Sequence, residues 1–182
     1  VNDNGTFVVT WSSNAQDGSG YGIYAQRFTA SGVTAGSEFL VNQTTSGNQE
    51  YATVDSDSSG NFVVTWRSDA GGYTDVFARR FNSSGTALGN EFQVNTYTTG
   101  YQSGPHVDMN AAGDFIVSWD SDGQDGSNYG VYTQQFDNAG TRIGGERLIN
   151  TSTSSWQVTS TVGFSGNHAV VTWNGAGAQT GN

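Results

Sequence analysis

The chain repeats itself every 53 to 55 residues, and that period limits the folds open to it. Four stretches align as "GTFVVTW" (5–11), "GNFVVTW" (60–66), "GDFIVSW" (113–119) and "NHAVVTW" (167–173), with Trp11, Trp66, Trp119 and Trp173 in register. Phe28, Phe81 and Phe136 close "YAQRF", "FARRF" and "YTQQF". Glu38, Glu91 and Glu146 open segments that end at Asn42, Asn95 and Asn150. Gln49, Gln102 and Gln157 each stand five residues before a valine of the same unit. The units run approximately over 5–59, 60–112 and 113–166, with a partial unit over 167–182.

Each unit holds four short apolar runs separated by turn signals such as "DNG", "SSG", "AAG" and "NAG", the pattern of strands joined by tight turns. In "FVVTW" both alternating faces are largely apolar, which predicts a strand covered on both sides. A four-stranded unit recurring at about 50 residues predicts an all-β, β-propeller-like array of antiparallel blades, three repeats plus one strand. A three-fold β-trefoil is the closed alternative. The repeated tryptophans are read as core, since one buried aromatic removes roughly 150–250 Å² from water. Trp156 has no counterpart in the other units and is the one tryptophan that is a candidate for an exposed contact residue.

Composition narrows the chemistry. Sixteen acidic residues face six arginines and no lysine, for a net charge of −10. That balance disfavours nucleic-acid and anionic-membrane surfaces, which need basic patches. It also excludes lysine chemistry. With no cysteine, disulfides, thiolate zinc sites and cysteine nucleophiles are excluded as well. There is no apolar run of the length that spans a membrane as a helix.

"GNFVVTW", "QDGSGYGIYAQRF" and "GNEFQVNTYTTG" resemble tandem repeats of large secreted or surface-attached bacterial proteins, often found beside hemolysin-type (RTX) calcium-binding segments in adhesin-like proteins. The resemblance covers essentially the whole chain. It implies an extracellular address and a non-enzymatic, structural or adhesive role. The glycine–aspartate nonapeptide itself is absent, so calcium-dependent β-roll formation does not carry over.

"DSDGQDGSNYG" gathers Asp120, Asp122, Gln124 and Asp125 in a glycine-rich loop, and the first unit keeps Asp17 at the matching place. Hard oxygen donors at alternate positions suit calcium, so these residues are the candidate metal ligands. Asp, Asn, Gly and Ser are also ordinary hairpin residues, and the duplicated "DGS-x-YG" core is read as turn geometry. Repeated Glu, Asn and Gln positions read as architecture. His106 and His168 do not align with each other and have no partner at metal-ligand spacing. A lectin-like, carbohydrate-binding propeller using Tyr21, Tyr129, Asn128 or Trp156 is the alternative function. The first and last strands are of one type, so association with other repeats or copies through open ends is expected.

Overall fold

The computed structural model describes residues 1–2, 4–165 and 168–176; Asn167 and 177–182 of the partial fourth unit lie outside the described residues. Thirteen strands and no helix are present among the described residues. Sheet 1 contains β1 (Phe7–Asn14), β2 (Tyr21–Phe28) and β3 (Phe39–Leu40). Sheet 2 contains β4 (Gln49–Ser56), β5 (Phe62–Ser68), β6 (Asp75–Phe81) and β7 (Phe92–Gln93). Sheet 3 contains β8 (Gln102–Met109), β9 (Phe115–Asp122), β10 (Tyr129–Phe136) and β11 (Arg142–Leu148). Sheet 4 contains β12 (Gln157–Ser165) and β13 (His168–Gly175).

Every sheet is an antiparallel meander in chain order, as tight turns between consecutive strands require. The strands β4, β8 and β12 lie against one another, so they form the inner edge of the array. Sheet and sequence repeat are offset by one strand. A unit beginning at "FVVTW" supplies the second, third and fourth strands of one sheet and the inner strand of the next.

The core lies between sheets. Ile23, Ala25 and Val41 pack on Phe62, Val64, Trp66 and Phe81 between sheets 1 and 2. Val63, Val76, Ala78 and Val94 pack on Val117, Trp119 and Phe136 between sheets 2 and 3. The "FVVTW" strands thus have two apolar faces because each faces a neighbouring sheet. Trp66 and Trp119 are 1% and 0% exposed, while Trp173 is 40% exposed. The core reading therefore holds in full for two of the four tryptophans. Stacked phenylalanine pairs close the strand ends opposite the tryptophans, Phe62 on Phe81 at 5.1 Å and Phe115 on Phe136 at 4.8 Å.

Four meanders packed face to face around a common inner edge match the propeller expectation and not the trefoil. The sheets do not close into a ring among the described residues.

Candidate functional site

The recurring asparagine and glutamine knit each sheet to the next. Asn42, Asn95 and Asn150 each accept the backbone N–H of Ile23, Val76 or Val131 at 2.7 Å through Oδ1. Their amides donate onward to the turns that lead into the next sheet. Gln49, Gln102 and Gln157 are buried in those same turns and donate to their carbonyls. Buried amides engaged in this way fix a strand end without a metal or ligand.

The glycine-rich acidic loops serve the same joint. Asp17 and Asp125 each accept the N–H two residues on, Ser19 or Ser127, at 3.1 Å, the hydrogen bond of an Asx turn. Their second oxygens lie 2.6 and 2.8 Å from where a Cβ on Gly22 or Gly130 would stand. In sheet 2 the loop is shorter, and the position matching Gly22 and Gly130 is Asp75. Its own carboxylate accepts from the Asn95 amide at 2.6 Å, as Asp125 accepts from Asn150 at 3.4 Å. One carboxylate is delivered to the same asparagine by two routes, and the route through the loop requires glycine beneath it.

The other candidate metal ligands go to separate partners. Gln124 accepts from the Ser121 hydroxyl at 2.7 Å and donates to Glu146 at 3.0 Å. Gln16 donates to Glu38 in the same way at 2.7 Å. Asp120 reaches into sheet 4, where its Oδ2 accepts the Thr159 N–H at 3.0 Å. Asp122 rests over Gly100, its Oδ2 3.2 Å from the place of a Cβ there. Among the described residues no three His, Asp or Glu side chains gather as a metal centre.

A different cluster forms at the end of the inner strands where these loops lie, here called the mouth. Each inner strand is bulged there, with register shifts between Glu50 and Thr53, Ser103 and His106, and Val158 and Thr161. The bulged residues Tyr51, Gly104 and Thr159 have φ of 57°, 58° and 58°. A bulge re-aims a side chain, and positive φ is disfavoured for tyrosine and for a β-branched residue. Tyr51 is 60% exposed. The Arg67 guanidinium lies 4.5 Å above its ring and is paired with Glu50 at 2.7 Å. Tyr73 and Tyr101 meet edge to face at 5.5 Å, both exposed. Their loops are tied by the Thr74 hydroxyl donating to the Gln102 carbonyl at 2.8 Å.

Tyr129, half-buried, joins this group. Burial raises its hydroxyl above the usual range, Asp122, Tyr101 and Asp120 add to that, and Arg67 opposes it. Asp120 is only 8% exposed, and its Oδ1 has no hydrogen-bond partner. Burial pushes its carboxyl from 3.8 up to about 6, against the Thr159 and Ser160 N–H groups that hold it down.

Tyr21 and Tyr129 occupy equivalent places on different sheets and do not meet. Asn128 is exposed in the turn, its carbonyl accepting from the Gly123 N–H at 2.7 Å. Trp156 is 44% exposed in the turn between sheets 3 and 4. Sequence reasoning named Tyr129 but missed Tyr51, Tyr73, Tyr101, Arg67 and Glu50. The available signal was their failure to repeat: the tyrosine of "QEYAT" faces glycine and threonine in "QSGPH" and "QVTST".

No family model matches the chain, and no curated protein matches it. Solved structures do match. A protein of unknown function from Dyadobacter fermentans superposes with a TM-score of 0.67 at 11% identity, over 96% of this chain and 47% of that one. An α-L-arabinanase from Penicillium chrysogenum, complexed with arabinobiose, gives 0.61 at 13% identity over 92% and 53%. A GH93 α-L-arabinofuranosidase from Fusarium graminearum, also with arabinobiose, gives 0.60 at 12% over 93% and 53%. The fold is β-propeller-like. The chain spans about half the length of these propellers, and identities this low carry the fold alone.

Proposed function

We propose that this propeller segment binds glycans through its mouth, as part of an extracellular adhesive protein. The observation that carries the reading is the grouping there of exposed Tyr51, Tyr73 and Tyr101 with Arg67, Glu50 and Asp122, the buried Asp120 carboxylate adding charge behind them. A sugar offers an apolar C–H face to an aromatic ring and hydroxyls to charged hydrogen-bonding groups, so it suits a surface combining both. Tyrosine gives this contact area at small entropic cost. Two propellers of similar shape hold a disaccharide, which supports a saccharide ligand without identifying it.

Binding is favoured over hydrolysis. Glycoside cleavage uses two carboxyl groups flanking the scissile bond. At this mouth Glu50 is held by Arg67 and Asp120 is buried against sheet 4, which leaves Asp122 as the one accessible, unengaged carboxylate of the three. Screening against an array of neutral, acidic and amine-bearing oligosaccharides tests the reading. Binding to at least one class is expected, weakened about tenfold or more by Tyr101→Ala, within the range for an aromatic anchor, and unchanged by Tyr21→Ala. Absence of binding across the array, or equal sensitivity to both substitutions, would overturn it.

A further inference from the structure

The charges around the tyrosines narrow the ligand class, an inference that rests on the glycan reading above. Arg67 is the cation at the mouth, and it is already occupied by Glu50 and by the face of Tyr51. Asp122 lies beside Tyr101, its backbone N–H donating to the Tyr101 carbonyl at 2.9 Å. Asp120 is nine-tenths buried with Oδ1 enclosed and unpartnered, and its charge acts on Tyr129. Glu50, Asp122 and Asp120 therefore outnumber the one guanidinium in charge, and no lysine exists anywhere in the chain to balance them.

A ligand that fits must bring donors and positive charge. An ammonium group carries three donors and no acceptor. It is attracted to tyrosine faces and satisfies carboxylates by charge-assisted hydrogen bonds. A uronate or sialate would meet like charges, and such a juxtaposition selects against the wrong partner. A neutral sugar would leave the Asp122 carboxylate without a charged partner and the buried negative charge of Asp120 behind it unbalanced. We infer that the mouth prefers glycans bearing free amines, hexosamine units above all, over uncharged or acidic ones.

Calorimetric titration with β-1,4-linked glucosamine hexamer, its fully N-acetylated counterpart and cellohexaose tests this. The glucosamine hexamer is expected to bind about tenfold more tightly than the other two, with the advantage shrinking several-fold in about 0.5 M salt as surface charge is screened. Asp122→Asn should reduce the advantage about threefold or more, with Glu50→Gln as a second variant. Asp137→Asn, in a turn at the opposite end, should leave it unchanged. Equal binding of free and acetylated hexamers would overturn the amine preference while leaving the glycan reading intact. An advantage that ignores salt and both mouth variants, or that falls equally with Asp137→Asn, would also overturn it. A fully negative array instead removes the glycan reading itself.

Discussion

The junction between sheets 2 and 3 and the junction between sheets 3 and 4 are built from equivalent positions and differ in kind. At the first, Val63, Val76, Ala78 and Val94 meet Val117, Trp119 and Phe136 in a continuous apolar layer. At the second, the matching positions of sheet 3 are Ile116, Val131, Thr133 and Ile149, and beside them Ser118 and Asp120 bond to Ser160 and Thr159. A cleft of about 290 Å³ separates Ile116, Thr133 and Gln135 from Ala169 and Val171. Both junctions carry hydrogen bonds, but the first adds a continuous apolar layer while the second relies on them across a looser gap. Apolar contact is non-directional and tolerates drift in detail. The polar junction depends on individual atoms, and one of them, Asp120, also belongs to the mouth.

The largest test of this contrast is Trp119→Ala. Its indole is fully buried between sheets 2 and 3, and removal of such a side chain costs about 3–5 kcal/mol. Urea denaturation should show a loss of that size. A loss below about 1 kcal/mol would mean that the apolar junction does not hold the sheets together.

The repeat, the strands and the buried tryptophans were legible in the sequence because period, alternation and turn residues are local. The one-strand offset between repeat and sheet was not, since nothing local marks whether "QEYATV" pairs forward or backward. The candidate ligand loops were half legible. Asp17 and Asp125 were placed in turns, but the role of Asp125 depends on Gly130 and on Asn150, 25 residues away. The mouth was least legible. Tyr51 reaches it only through a left-handed bulge that its residue type disfavours, and Tyr73 and Tyr101 meet from different sheets.

The second test uses pH. Asp120 holds its proton up to about 6 in the folded chain against 3.8 ordinarily. Between those values the folded state binds more protons than the unfolded one, so this group's contribution is full below about pH 3.8 and is lost as pH rises through about 6. Asp120→Asn should flatten that window and raise stability at pH 7–8 by up to about 2–3 kcal/mol, since each tenfold change in proton affinity is worth roughly 1.4 kcal/mol. Denaturation curves at pH 4, 5, 6 and 7 read it directly. Parallel pH profiles for wild type and variant would show that the polar junction does not strain this carboxylate.

A third test compares one motif position in two settings. Trp173 matches Trp119 in the repeat yet is 40% exposed. Less apolar area leaves water when it packs, so Trp173→Ala should cost about 1–2 kcal/mol, clearly less than Trp119→Ala. Equal losses for the two would mean that sheet 4 is packed as tightly as sheet 3.

The smallest effect isolates one hydrogen bond of the polar junction. The Ser160 hydroxyl donates to the Ser118 hydroxyl at 3.1 Å, and both side chains are buried. Ser160→Ala alone leaves the Ser118 hydroxyl without its donor, and an unsatisfied buried group costs about 1 kcal/mol or more. Replacing both with alanine removes the partner and the orphan together, so the double variant should be no less stable than the single one. A double-mutant cycle measured by urea denaturation gives the coupling directly. A coupling near zero, with single losses that simply add, would mean that water satisfies either hydroxyl and that the junction is open at this depth. A coupling of about 0.5–1 kcal/mol, within the range for residues in contact, would place a closed, atom-specific contact where the junction of sheets 2 and 3 has Thr65 and Pro105 at the matching positions.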